Sequence, residues 1–285
     1  MQTALAVDLG GTKTAMALVG RDGALREYRK IPAARSMDEA VDSIAEAVSS
    51  ASSVGIVVPG IFNSATGGVW CPNLFGRDEV PMLEAVQRRV EVPVVIDSDR
   101  SGYVLGESWL GAAQGLRDVV FVAVGTGIGI GTLAGGQVVR GARGIAGAAG
   151  WWSLTPEWSA LYEQCGCWEA EAAGPAIARM ADAPDAETAI SRARSGDIRA
   201  REAVSRAAGY TGRAVANLVS VFDPEMVVLG GGVMQAASDL FLDAICEAVL
   251  RWGQPVAARA CRIEVTSLGE RAGLLGAARL AFERI

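Results

Sequence analysis

The stretch "TALAVDLGGTKTAMALVGRDG", Thr3 to Gly23, decides how the chain is read. A short apolar run with β-branched residues ends in Asp-Leu-Gly-Gly, and a second apolar run follows it and closes in Arg-Asp-Gly. This pattern predicts a hairpin with a glycine turn at its tip. It returns in "DVVFVAVGTGIGIGTLAGGQVV", Asp118 to Val139, as strand, glycine-threonine turn, strand. Between the two, "SMDEAVDSIAEAVSSA" spaces Ala40, Ile44 and Val48 along one helical face, with Ser36 and Glu39 set as a capping box. The strand "VGIVVPG", the helix "PMLEAVQRRV" and the strand "VPVVID" follow. Further on come the long amphipathic helix "REAVSRAAGYTGRAVANLVSVF", the strand "EMVVLGGGVM" and a terminal helix in "SLGERAGLLGAARLAFERI". Strands alternating with helices predict an α/β fold with parallel elements. Hairpin, helix and strand recur in each half, which predicts two related α/β domains with a central cleft. The first covers 1–114, joined by the C-terminal helix 270–285, and the second covers 115–269. The boundary lies near Gly111 to Arg117, and Ala181 to Gly196 reads as a helical surface excursion.

The 285 residues are 51% apolar, enough for a substantial core. No apolar run approaches the roughly 18 to 20 residues needed to cross a bilayer, and the N-terminus lacks a signal-peptide pattern. The expectation is a soluble, cytoplasmic protein with no membrane partner. A net charge of −6 without a basic cluster argues against nucleic acid as a partner. Five cysteines, an odd number, read as reduced thiols or metal ligands. There is no histidine, which excludes a Ser-His-Asp triad, histidine-ligated zinc and imidazole acid-base chemistry. Proton chemistry falls to carboxylates. Lys13 and Lys30 are the only lysines, a skew attributed to base composition and given no functional weight.

Three glycine-rich turns stand at strand ends: "DLGGTKT" (Asp8 to Thr14), "VGTGIGIG" (Val124 to Gly131) and "LGGGV" (Leu229 to Val233). Glycine is required where the backbone itself must approach a phosphate. It is also the default residue of a tight turn, so each motif alone admits the plainer reading. Their joint presence favours phosphate binding.

The segments "AVDLGGTKT", "PVVIDSDRSGYVLGE", "VGTGIGIG", "CWEAEAAGPAI" and "DPEMVVLGGGV" occur in the order and spacing of the ROK family, which includes bacterial sugar kinases and sugar-responsive repressors. The chain resembles that family over essentially its whole length. The resemblance implies the actin-like, hexokinase-type (ribonuclease H-like) ATPase fold, with ATP and Mg²⁺ as cofactors. Neither a Walker A motif nor a protein-kinase loop set is present, so this would be phosphoryl transfer on another scaffold. By resemblance, Asp8, Gly10, Gly11, Thr12 and Lys13 form the first phosphate loop, Asp8 holding Mg²⁺ through water. Gly125, Thr126 and Gly127 form the second, and Gly230, Gly231 and Gly232 approach the adenosine.

Transfer to a sugar hydroxyl needs a base for that hydroxyl's proton. The family places its base in an Asn-Asp-Ala-Asn motif, matched here by Ser98, Asp99, Arg100 and Ser101, so Asp99 is the candidate catalytic base and Ser98 a substrate-side residue. Asp97 reads either as a carboxylate sharing a strand face with Asp99 and raising its pKa, or as a solvated strand-end or capping residue. "CPNLFG" resembles the segment whose asparagine contacts the sugar, which points to Asn73, although a turn role is the alternative.

The window "GAAGWWSLTPEWSALYEQCGCWEAE", Gly147 to Glu171, departs from the family. The family's Gly-Glu-x-Gly-His reads here as Gly147, Ala148, Ala149, Gly150 and Trp151, so a sugar-binding glutamate and a histidine are lost. Of the cysteine-rich segment only "CGCWEAE" survives, aligning Cys167 with the last cysteine and Glu169 with the second sugar-binding glutamate. Two cysteines without histidine cannot build a tetrahedral site, so no structural zinc is expected. Packing is the reading for Trp152, Trp158 and Trp168. Trp151 is a candidate for the substrate pocket.

Catalytic residues kept beside altered sugar-reading residues point to an ATP-dependent kinase acting on a sugar or sugar-like ring polyol, with a modified or amino sugar or a cyclitol favoured. The alternatives are a glucokinase with a rebuilt pocket and a non-catalytic sugar sensor. A homodimer is expected from the family alone.

Overall fold

The computed structural model describes residues 2–283. They divide into two compact units: residues through Gly115, Val138–Ala146 and those from Glu270 onward form one, and Leu116–Gln137 with Gly147–Gly269 form the other. The segment Val138–Ala146 belongs to the first unit, whereas the sequence reading had put it in 115–269. Side-chain chemistry explains the placement. Arg140 Nε donates to Asp97 Oδ2 at 2.6 Å, and the Arg100 guanidinium donates to the Gly144 and Ile145 carbonyls.

The first unit is built on β1 (Thr3–Leu9), β2 (Lys13–Gly20), β3 (Leu25–Pro32), β4 (Ser53–Val58), the small hairpin β5 (Ile61–Asn63) and β6 (Gly68–Trp70), and β7 (Val94–Ser98). Its main sheet runs β3-β2-β1-β4-β7. The first three strands are an antiparallel meander, and β4 and β7 continue it in parallel with β1. Parallel neighbours need crossovers, and the helices Met37–Ala47 and Met82–Gln87 supply them. Half of the capping box is formed as expected, the Ser36 hydroxyl accepting from Glu39 N, while Glu39 Oε2 reaches one residue further back and accepts from Arg35 N at 2.8 Å. Leu5, Val7, Met16, Ile44, Ile56 and Ile96 make this unit's core. The helices Asp99–Leu110 and Ala272–Glu283 pack backbone to backbone, and glycine permits it. A Cβ on Gly276 would lie 1.8 Å from the Gly102 carbonyl oxygen, and one on Gly106 2.2 Å from that of Ala272.

The second unit repeats the scheme with β8 (Val119–Val124), β9 (Ile128–Ala134), β10 (Gln137–Val138), β11 (Met226–Gly230) and β12 (Arg262–Val265), in the order β10-β9-β8-β11-β12. The long helices Ile198–Phe222 and Gly232–Trp252 bury its core, which includes Val122, Val227, Leu218 and Phe241. The stretch read as a surface excursion holds the helix Ala186–Arg194, which buries Ala189, Ile190 and Ala193 in that core. Alanine every three to four residues is a packing stripe there.

The tryptophans separate. Trp168 is fully buried and Trp152 packs on it with ring centroids 6.2 Å apart, as expected. Trp158 is 71% exposed and packs edge-on against Tyr162 with ring centroids 6.0 Å apart, a contact at the surface and not in the core. Trp151 is also exposed. Among the described residues no helix is long and apolar enough to cross a membrane.

Candidate active site

In the first unit the parallel strands set the geometry. Residues paired across the sheet run Asp8, Val57, Asp97 through β1, β4 and β7, so both carboxylates stand in one row near the carboxyl ends of their strands. Ligands of open α/β sheets bind at that end. β7 stops at Ser98, which caps the helix Asp99–Leu110 by accepting from Ser101 N. Asp99 is therefore the first helical residue and does not continue the strand. The readings of Asp97 fail: it shares no strand face with Asp99, the cap is taken by Ser98, and Asp97 is 5% exposed, bonded to Arg140 Nε and the Ser101 hydroxyl. Ser98, read as a substrate contact, has its hydroxyl engaged by Ser101 N and faces Ser101 Oγ at 3.3 Å.

Asp99 accepts from Arg100 N at 2.8 Å on Oδ1 and from the Tyr103 hydroxyl at 3.3 Å on Oδ2. Burial pushes its carboxyl up to about 6, against the opposing charge of Arg100 and these hydrogen bonds. Asp8 is pushed to about 7, first by burial and then by the negative charge of Asp99, with Lys30 opposing. The Tyr103 hydroxyl is raised well above its ordinary value by burial and by both aspartates. Gly273 leaves the space this pair needs, since a Cβ there would lie 2.3 Å from Asp8 Oδ2 and 3.1 Å from Tyr103 Cε1. Tyr103 was missed in the sequence. Its signal was its spacing, four residues after Asp99 and so on the same helical face.

The first glycine turn is closed by Gly10 N donating to Lys13 O, and a Cβ on Gly10 would lie 2.6 Å from that oxygen. Gly11 differs: nothing lies within 4 Å of the position its Cβ would take. Thr12 and Lys13 are exposed beside it. Asn73 is exposed on the short helix Pro72–Phe75. The buried Cys71 thiol just before that helix, pushed up to about 11 by burial, feels the Asp99 charge.

In the second unit, β8 and β11 are parallel neighbours, with Gly230 opposite Ala123. Their following turns, Gly125–Gly127 and Gly230–Gly232, therefore lie side by side. Gly231 (φ 87°) packs so tightly on Val124 that a Cβ would lie 2.5 Å from its carbonyl oxygen. Gly232, the first residue of its helix, again faces open space, and Thr126 is exposed. Glu169 Oε2 accepts from Ile128 N at 2.7 Å and sits against Gly127 and Gly150. It buttresses the second glycine loop and the turn carrying Trp151, while burial raises its carboxyl. Cys167 Sγ accepts from Leu154 N at 3.5 Å. Tyr162, Glu171 and Arg206 form a hydrogen-bonded ion-pair network in the same lobe.

The donor set fits a magnesium nucleotide. Asp8 offers a hard carboxylate of the kind that holds Mg²⁺ directly or through water. Gly11, in the first glycine turn, is a glycine that neither steric crowding nor a positive φ demands, which is what backbone held open for a phosphate looks like.

The ROK family model matches residues 4–284. This chain belongs to the ROK family. Among ROK relatives, it is 32% identical to a glucokinase of Streptomyces coelicolor, across 99% of this chain and 98% of that one. It is 33% identical to an N-acetylmannosamine kinase of Escherichia coli, across 98% of each. Among solved structures it resembles a ROK family glucokinase from Streptomyces griseus in complex with glucose and AMPPNP, at 30% identity, TM-score 0.83 and 99% of each chain. The fold is the actin-like fold of ROK proteins, as the sequence reading expected.

Proposed function

We propose that this protein transfers the γ-phosphoryl group of ATP to a hydroxyl of a sugar or sugar-like ring polyol, with Asp99 as the general base. The observation that carries the reading is the Asp99 carboxylate, held at the helix start that follows β7, pushed to about 6, and close enough to Asp8, beside the first glycine turn, for the two charges to repel. Similarity to named sugar kinases and to a structure with bound AMPPNP supports it. A base near the working pH both holds and releases a proton readily.

The residues divide the work. Gly10, Gly11, Thr12 and Lys13 make up one phosphate-binding loop, and Gly125, Thr126 and Gly127 another. Gly230, Gly231 and Gly232 receive the adenosine. Bound Mg²⁺ would neutralise phosphate charge, with Asp8 as its carboxylate through water. Asp99 accepts the acceptor's hydroxyl proton on its carboxylate, which the Tyr103 hydroxyl holds in place. Asn73 contacts the acceptor. Glu169 acts by holding the second loop, and Trp151 offers a flat apolar ring to the acceptor's C–H face.

Acceptor choice follows from what is lost. A site that hydrogen-bonds a hydroxyl discriminates by that bond, and here Ala148 and Trp151 stand where the family carries glutamate and histidine, while Ser98 is turned to helix capping. A modified or amino sugar, or a cyclitol, is the favoured acceptor. The test is ADP release with Mg-ATP over a panel of hexoses, amino sugars, N-acetyl sugars and cyclitols, with Asp99→Asn run alongside. Turnover on one non-glucose polyol, reduced at least 10³-fold in the variant, is the expected result. Best turnover on glucose would overturn the acceptor assignment alone. ATP binding without turnover on any acceptor would favour a sugar sensor.

A further inference from the structure

The sheet register carries an observation that the motifs do not. Asp8 pairs with Ala15, and Ala15 pairs with Lys30, so the three stand in one cross-strand row on one face of the sheet. Two strand spacings, about 10 Å, separate the Lys30 and Asp8 backbones. The residue between them is alanine, whose side chain leaves that path open. Lys30 is close enough for its charge to act on Asp8, and its ammonium is ion-paired with Glu270. Glu270 also feels the charge of Lys13, in the first glycine turn. The only two lysines of the chain, against a combined Lys and Arg count of 26, thus both act on Glu270, and Lys30 acts on Asp8 as well. Everywhere else this protein uses arginine. Lysine differs from arginine in being a compact point charge with three rotatable donors, the form that suits a single phosphoryl oxygen.

Stability does not account for the pair. Glu270 is mostly exposed and Lys30 more than a third exposed, and ion pairs of that kind contribute little to folding.

We propose that Lys30 is a second cation for the γ-phosphoryl group, and that Glu270 holds it beside the phosphate loop until the nucleotide arrives. The assignment rests on the kinase reading above. Bond changes are those of phosphoryl transfer itself; Lys30 contributes charge to the oxygens of the migrating group and keeps its own protons throughout.

Paired binding measurements test it. Calorimetry with MgATP and with MgADP is run on wild type, Lys30→Met, Lys30→Arg and Glu270→Gln, with melting temperatures recorded for all four. Lys30→Met is expected to lose about tenfold in affinity for ATP and less than twofold for ADP, because only ATP carries the γ-phosphoryl group. With an acceptor that turns over, its kcat falls by 10-fold or more while the acceptor KM stays within twofold. Lys30→Arg recovers part of the ATP preference. Glu270→Gln keeps that preference, since its lysine is still present. Equal losses for ATP and ADP in Lys30→Met, or a matching loss in Glu270→Gln, would mean that the ion pair only shapes the loop and would overturn the assignment. A wild type that binds ATP and ADP alike likewise rules it out while leaving nucleotide binding intact. A wild type that binds neither nucleotide overturns the kinase reading, and this assignment with it.

Discussion

Tyr103 donates its phenolic hydrogen bond to Asp99 Oδ2 at 3.3 Å from one helical turn further along. The bond holds the carboxylate's rotamer and favours its charged form, against the burial that pushes it to about 6. A base must be ionised to work, so kcat/KM is expected to rise with pH through about 6 and to fall about tenfold per pH unit below it. Tyr103→Phe removes a donor to the charged form. Its acid limb should move to higher pH by several tenths of a unit, and kcat should drop roughly 3- to 30-fold with a small change in acceptor KM. A pH–rate profile of the two proteins decides, and an unmoved limb in Tyr103→Phe would refute the positioning role.

The same two carboxyls make stability depend on pH. Asp8 and Asp99 titrate at about 7 and about 6 in the folded protein, above the ordinary 3.8. The folded state therefore binds more protons than the unfolded one between about pH 4 and 7, and stability falls as pH rises through that window. Urea unfolding without Mg²⁺ should show Asp99→Asn more stable than wild type by about 1–2 kcal/mol at pH 8, with little difference at pH 4. Asp8→Asn should behave alike. The double variant should gain less than the sum, because each substitution already relieves the other's repulsion.

Two glycines of the C-terminal helix separate activity from folding. Gly273→Ala sets a methyl 2.3 Å from Asp8 Oδ2, and Gly276→Ala sets one 1.8 Å from the Gly102 carbonyl oxygen. A side chain can turn aside and a packed backbone cannot. Gly276→Ala should cost about 3 kcal/mol of stability, and Gly273→Ala about 1. Activity per folded molecule should order the other way, falling at least about tenfold in Gly273→Ala. Equal melting temperatures for the two variants would contradict this division.

Trp151 and Trp168 should divide similarly. Trp168 is fully buried against Trp152, so Trp168→Ala is expected to lose about 3–5 kcal/mol. Trp151 is 58% exposed, and Trp151→Ala should leave the melting temperature within about 1–2 °C of wild type while raising acceptor KM. Loss of stability without a change in KM would return Trp151 to packing.

Local patterns carry local geometry, and this is why the glycine turns, the hairpins, the capping box at Ser36 and Glu39 and the family itself were legible in the chain. Each depends on residues a few positions apart, where period and turn chemistry speak directly. What tertiary structure alone decided were the meetings of distant residues. Asp97 finds Arg140, 43 positions away, and is thereby a buried ion-pair member in place of a strand-end charge. Composition alone suggests packing for Trp158, but only the path of the loop determines whether a core lies beneath it. Glu169 turns to Ile128 N because the second glycine loop passes beside its helix. The two lysines looked like base composition when counted. Lys30 gained its place only through β-sheet register, which aligns it with Ala15 and Asp8 across three strands, a relation that no spacing along the chain expresses.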